Sequence, residues 1–160
     1  RELPYKDAVY NVSRVGLLPA AMNPVVLAQA AQQGRSGVAA APAQDTDTCA
    51  CADGTRESAF ADELAAAQAQ SNALLFTATQ DKLHQPYRGA LMPPSTELIA
   101  LFRSKGYAAA VSGAGPCVLV LHYGNAREAI DQIASEQLAS GHWRVLHLPI
   151  NTAGVEIERR

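Results

Sequence analysis

The chain has 160 residues, 48% hydrophobic, 18% charged and 6% aromatic, with a formal net charge of −2. That length fits one compact domain of α/β or α+β type around a single core, and two full domains do not fit comfortably. With 13 Lys and Arg against 15 Asp and Glu and no basic run, there is no electrostatic footprint for nucleic acid or an anionic membrane.

From Asp7 onward, Val9, Val12, Val15 and Leu18 recur at helical spacing, and Val26, Leu27 and Ala30 resume it. This predicts a helical face bent or restarted at Pro19 and Pro24 and stopped at Gly34. Residues 34–58 are rich in Ala, Gly, Ser, Thr and Asp and nearly empty of large apolar side chains. Such composition cannot repay ordering entropy by burial, so a mobile inserted loop is expected there. Helical signals return at Ser58, with a break at Ser71-Asn72, and run on to about His84. Gln85-Pro86-Tyr87-Arg88 then reads as a loop, because the residue before a proline is biased away from helix. Ser95 is placed to cap a helix that buries Leu98, Ile99, Leu101 and Phe102 and ends at Gly106. Tyr107 to Val111 and Cys117 to His122 are short apolar runs of strand character. Asn125 can cap an amphipathic helix carrying Ile130, Ile133 and Leu138, ending near Gly141. Trp143 to Ile150 and Gly154 to Glu158 read as two closing strands. The order of elements points to an antiparallel sheet with helices on one side, an α+β sandwich.

No apolar stretch approaches the ~20 residues that span a bilayer, and Arg1-Glu2-Leu3-Pro4 lacks a charged-then-apolar signal, so a soluble cytoplasmic chain is expected. Three cysteines are too few for a disulfide scaffold and leave at least one thiol unpaired within the chain, which fits a reducing compartment. Opening on Arg1 rather than methionine, the chain is expected to be part of a longer one.

Two segments carry chemistry. Ser112-Gly113-Ala114-Gly115-Pro116 lies between the two apolar runs, and its glycines let backbone N–H groups approach an anion unobstructed. Taken alone, it reads first as a tight hairpin turn. Neither a P-loop lysine nor a full dinucleotide fingerprint accompanies it. In Leu83-His84-Gln85-Pro86-Tyr87-Arg88, an arginine beside a proline is suited to a carboxylate or phosphate, since its planar donors meet two oxygens at once. Taken alone, Arg88 reads as an ordinary surface charge and His84 as a solvated or helix-end side chain. Cys49-Ala50-Cys51 has no further ligands nearby and reads as two exposed thiols. His122, His142 and His147 show no metal-ligand spacing, and no metal site is expected in these residues.

Together, DAVYNVSRVGLL at 7–18, LLFTATQDKLHQPYR at 74–88, LMPPSTELIALFRSKGYAAAVSGAGPCVLVL at 91–121 and NTAGVEIE at 151–158 resemble the homoserine kinase family, within the superfamily of galacto-, homoserine, mevalonate and phosphomevalonate (GHMP) kinases. LHQPYR followed by SGAGP is the specific combination. The resemblance implies that residues 1–160 are the C-terminal domain of a longer kinase, of ferredoxin-like α/β sandwich fold with extra N-terminal helices. It further implies that a PxxxGLGSSA-type ATP loop and the magnesium carboxylate belong to an N-terminal domain absent from this chain. By resemblance Arg88 matches the arginine that grips the homoserine carboxylate. Ser112, Gly113, Ala114, Gly115 and Pro116 match a glycine-rich loop beside the phosphates. Asn11 and Arg14 also match family residues, and a helix-packing or surface role is the reading for both. The stretch from about Asn23 to Gln70 departs from the family's short connection, its clearest insertion being about 34–58. The implied reaction moves the ATP γ-phosphoryl group, with Mg2+, onto the hydroxyl of L-homoserine, and the family allows a homodimer. The competing reading is a non-catalytic ferredoxin-like domain for amino-acid binding or oligomerisation.

Overall fold

The computed structural model describes residues 4–22, 53–148 and 157. They fall into two compact units that divide between Asn125 and Ala126. The first holds α1 (Tyr5–Val15), α2 (Leu18–Ala21), α3 (Asp53–Ala78), α4 (Gln85–Gly89), α5 (Pro93–Ser104), β1 (Ala108–Val111) and β2 (Val118–Leu121). The second holds α6 (Arg127–Ile133) and α7 (Ser135–Ala139).

The longest element, α3, begins at Asp53, so the last residues of the expected 34–58 loop are helical. The rest of that loop, with Cys49 and Cys51, and the expected helix from Asn23 to Gly34 lie outside the described residues. Ala, Leu, Gln and Glu dominate α3, and these are good helix formers. Its buried positions, Ala67, Ser71, Leu75 and Ala78, follow helical spacing. The expected break at Ser71-Asn72 does not occur. Asn72 spends its side chain on Tyr123, accepting from the backbone N–H at 2.8 Å and donating to the carbonyl at 3.1 Å. It therefore does not compete for its own helix backbone, which is how asparagine usually breaks helices. The helix ends at Ala78 rather than near His84.

Strands β1 and β2 pair antiparallel in the register Ala108↔Leu121 to Val111↔Val118. The expected strand runs are correct in place and slightly shorter. Ala108 joins Ala21 and Leu75 in the core cluster, with Leu74, Phe76, Leu121 and Tyr123 against it. Its neighbour Ala109 is fully buried. Successive strand residues face opposite ways, so β1 is covered on both faces. Helix α5 packs on this sheet, burying Leu98, Ile99 and Phe102, while Leu101 is half-buried. It starts at Pro93, where a missing N–H costs nothing, so Ser95 sits inside the helix and does not cap it. Gly106 follows its end with φ +84°, as expected.

Arg103 ties three elements together. Its guanidinium donates to the Phe76 carbonyl at the end of α3, to Thr79 Oγ1 and to the Ala109 carbonyl of β1, and it stacks over the Phe76 ring. Partial burial lowers its pKa, and the nearby Tyr10 opposes that shift.

Further expectations are corrected. The valine stripe of α1 does not pack inward, for Val9, Val12 and Val15 are 48%, 73% and 60% exposed. The helix docks instead by its polar side, through Tyr10 and Asn11. In the second unit, one expected helix is two short ones, and Asn125 does not cap it, since the residue preceding α6 is Ala126. Residues 143–148 form no strand. No described strand pairs with them, and Val145, Leu146 and Leu148 stay exposed. Residues 149–150 and the expected strand at 154–158 lie outside the description, apart from Ile157. No helix among the described residues is long and apolar enough to cross a membrane.

Candidate functional site

The two segments singled out in the sequence meet in space. Arg88, near the end of α4, donates from Nη1 to the Ala114 carbonyl at 3.2 Å, so the arginine and the glycine loop share one surface. A cleft of about 310 Å³ opens there, lined by Asp81, His84, Gln85, Arg88, Val111 and Gly113. Its size lies near the lower end of the ~300–1,000 Å³ typical of small-molecule sites. A second opening of about 380 Å³ adjoins it, sharing Asp81, Gln85 and Val111 and walled in part by Pro86, Ile99 and Ala100.

Arg88 is not on a loop, as expected, but on a five-residue helix. Pro86 falls in the first turn, where the absent N–H would have had no partner. Ahead of it, Asp81 gathers the free backbone donors. Its Oδ1 accepts from Leu83 N at 2.7 Å and His84 N at 3.0 Å, and its Oδ2 accepts from Gln85 N at 2.9 Å. Asn11 adds a further bond from α1, Nδ2 to Asp81 Oδ1 at 2.6 Å. Burial alone would raise the Asp81 pKa, but the bonds from Asn11, His84, Gln85 and Leu83 outweigh it and hold the carboxyl below its ordinary value.

The loop itself is a tight turn between β1 and β2, closed by Ser112 N to the Cys117 carbonyl at 2.8 Å and Gly115 N to the Ser112 carbonyl at 3.1 Å. Gly113 and Gly115 have φ of +61° and +86°, in the left-handed region that favours glycine. At Gly115 there is a second constraint, since a Cβ would lie 2.6 Å from Met92 Sδ. Pro116 is held from the other side, its carbonyl accepting from Ser95 Oγ at 2.6 Å. Ser95, expected as a cap, is thus a loop anchor. The N–H groups of Gly113 and Ala114 donate to no described residue. Exposed backbone donors beside a guanidinium are suited to an anion, and a phosphate or carboxylate oxygen is the ligand such a surface would take.

Every candidate residue from Arg88 through Ser112, Gly113, Ala114, Gly115 and Pro116 is therefore in one place. Asp81 and Met92 were not foreseen, and Asn11, read as a helix-packing or surface residue, bonds to Asp81. An aspartate shortly before a Gln-Pro helix start was a usable signal for Asp81, because acidic side chains favour helix N-termini. Nothing in the sequence pointed to the pairing with Asn11. Cys117 is exposed and lies just ahead of β2, not within it. Among the described residues no group of three or more His, Cys, Asp or Glu could hold a metal ion.

Residues 58–139, just over half of the chain, match the family described as GHMP kinases C terminal. The homoserine kinase of Clavibacter michiganensis subsp. michiganensis is 43% identical over 97 residues, covering 59% of this chain and 30% of that protein. That of Leifsonia xyli subsp. xyli is 44% identical over 98 residues, covering 60% and 30%. That of Corynebacterium aurimucosum is 45% identical over 86 residues, covering 54% and 26%. The matched part spans less than a third of the length of these curated relatives.

Proposed function

The chain belongs to the GHMP kinase C-terminal family, and from that premise we propose that it is the substrate-side domain of a homoserine kinase. In this reading residues 1–160 form a ferredoxin-like domain carrying an Ala-rich insertion at about 34–58. A longer chain supplies the PxxxGLGSSA-type loop and the magnesium ligands, and the enzyme, as a homodimer in the cytoplasm, makes O-phospho-L-homoserine for threonine biosynthesis. The names of the relatives support the substrate, and the observation that carries the reading is the contact between Arg88 and the Ala114 carbonyl.

Each residue then has a physical task. Arg88 pairs with the homoserine carboxylate through N–H donors that the single bond to Ala114 leaves available. That orients the side-chain hydroxyl toward the glycine loop. The Gly113 and Ala114 N–H groups donate to phosphate oxygens of ATP, and Gly115 lets the turn reverse beside Met92. ATP would supply the phosphoryl group and Mg2+ the neutralisation of its charge. The described residues contribute positioning and hydrogen-bond donors, which is most of what a protein adds to phosphoryl transfer.

The test is turnover by the intact gene product with ATP and a panel of alcohols that includes L-homoserine and mevalonate. Phosphorylation of L-homoserine with at least tenfold preference is expected, and the 160 residues alone turn over none. Preference for another alcohol, or no transfer with tight amino-acid binding, replaces this reading with a sister kinase or a non-catalytic binding domain respectively.

A further inference from the structure

Resting on that reading, we infer that Asn11 is a positioning residue for substrate: from α1 its carboxamide clamps Asp81, and Asp81 in turn holds α4 so that Arg88 is presented to the cleft. The Asn11 side chain bonds at both ends. Nδ2 donates to Asp81 Oδ1 at 2.6 Å, and Oδ1 accepts from the Lys82 N–H at 2.9 Å. A side chain fixed at two points cannot rotate without losing both bonds, so the turn at 81–82 is registered against α1.

Asp81 itself lines the cleft with Arg88, which invites the alternative that it binds the ammonium group of an amino acid. Its acceptor capacity argues against that. A carboxylate offers about four lone-pair sites. Here Oδ1 takes bonds from Asn11, Leu83 and His84, and Oδ2 takes bonds from His84 and Gln85. The carboxylate is saturated by the protein, so its task is to set the start of α4. The short helix also meets α5, where Thr96 Oγ1 donates to the Gly89 carbonyl at 3.3 Å, and its start rests on Asp81. It is five residues long with no buried residue, and an isolated helix of that length is unstable in water. The Asn11–Asp81 clamp and the Arg88–Ala114 bond are thus the two ends of one bridge from α1 to the glycine loop.

The experiment uses the full-length kinase that carries this chain, with Asn11→Ala, Arg88→Ala and the double variant, plus Asn11→Asp, which keeps an acceptor for the Lys82 N–H and sets a like charge opposite Asp81. Asn11→Ala is expected to raise the homoserine KM about tenfold with the ATP KM and kcat within twofold. In the Arg88→Ala background it adds less than twofold, because its effect passes through Arg88. Asn11→Asp raises the homoserine KM at least tenfold, again with the ATP KM within twofold. The inference is overturned if Asn11→Ala shifts both KM values alike, lowers only the melting temperature, or multiplies fully with Arg88→Ala. Should Asn11→Ala fail to fold, the near-isosteric Asn11→Asp decides, a homoserine KM within twofold of wild type counting against the clamp. An Arg88→Ala variant with unchanged homoserine KM sinks the kinase reading itself and is read separately.

Discussion

Arg88→Ala deletes an exposed guanidinium whose only described bond is to the Ala114 carbonyl at 3.2 Å. On the proposed reading, the variant of the full-length protein loses chiefly the pairing with the homoserine carboxylate. Two charge-assisted hydrogen bonds contribute about 1.5–3 kcal/mol each when sheltered. This cleft is open to water, so screening brings the pair down to about 2 kcal/mol, or roughly 30-fold in KM at ~1.4 kcal/mol per factor of ten. The substrate carboxylate keeps its charge throughout the reaction, so ground state and transition state lose equally and kcat stays near wild type. Arg88→Lys keeps a point charge without the planar fork and should recover about half of the loss on a logarithmic scale. The assay is steady-state kinetics with homoserine varied at saturating ATP, then ATP varied at saturating homoserine. Equal rises in both KM values, or full rescue by lysine, would refute carboxylate pairing by Arg88.

Four further outcomes follow from the same contacts. Gly115→Ala combines a left-handed φ with a Cβ 2.6 Å from Met92 Sδ, whereas Gly113→Ala meets nothing within 4 Å and bears only the backbone strain. By urea midpoint the first should therefore cost more than the second, which is worth about 1–2 kcal/mol; equal losses would mean that Met92 moves aside freely. Leu75→Ala, in the core cluster with Ala21 and Ala108, should lower stability by about 2–5 kcal/mol, and thermal denaturation reads it. Arg103→Met removes the guanidinium stacked over Phe76 and strands two carbonyl acceptors, giving about 2–4 kcal/mol of destabilisation that Arg103→Lys only partly restores; full restoration by lysine would show that charge alone suffices. The Asp81 pKa is lowered in the folded state, so its contribution is complete above the ordinary aspartate value near 4 and is lost as the pH falls through the folded value. Stability measured from pH 6 to pH 2 should fall less steeply in Asp81→Asn than in wild type, and parallel curves would contradict it.

Strands β1 and β2, the end of α5 at Gly106 and the turn at 112–116 were legible because local rules decide them: short apolar runs, a left-handed glycine, and a turn too small for side chains. What sequence reading missed depends on distant partners. Ser71-Asn72 looks like a break until Tyr123 takes the Asn72 side chain. Gln85 to Arg88 looks like a loop until Asp81 caps it. Val9, Val12 and Val15 read as a core face by period alone, yet α1 docks by hydrogen bonds from Tyr10 and Asn11. Amphipathic spacing identifies a helix correctly and still leaves open which side meets the neighbouring element. Residues 143–148, the described part of the expected strand at 143–150, have the right residue types and form no strand.

The orientation of the glycine turn follows from which of its groups the scaffold uses. Arg88 takes the Ala114 carbonyl and Ser95 takes the Pro116 carbonyl. Inside the turn, Ser112 and Gly115 N–H groups are used to close it. The scaffold thus consumes acceptors at 114 and 116 while the donors of Gly113 and Ala114 remain without a described partner. A turn held by its carbonyls presents a surplus of positive partial charge on its free side, and Arg88 adds a full charge next to it. Swapping Ser95 for alanine would release the Pro116 carbonyl without touching any donor, so it tests this polarity rather than the anion contact. A loosened turn loses its preorganised donors, and ordering them again falls on the ligand. Ser95→Ala should therefore weaken ATP more than homoserine, the reverse of Arg88→Ala, and the same selectivity in both variants would mean that the turn and the arginine do not divide the two substrates between them.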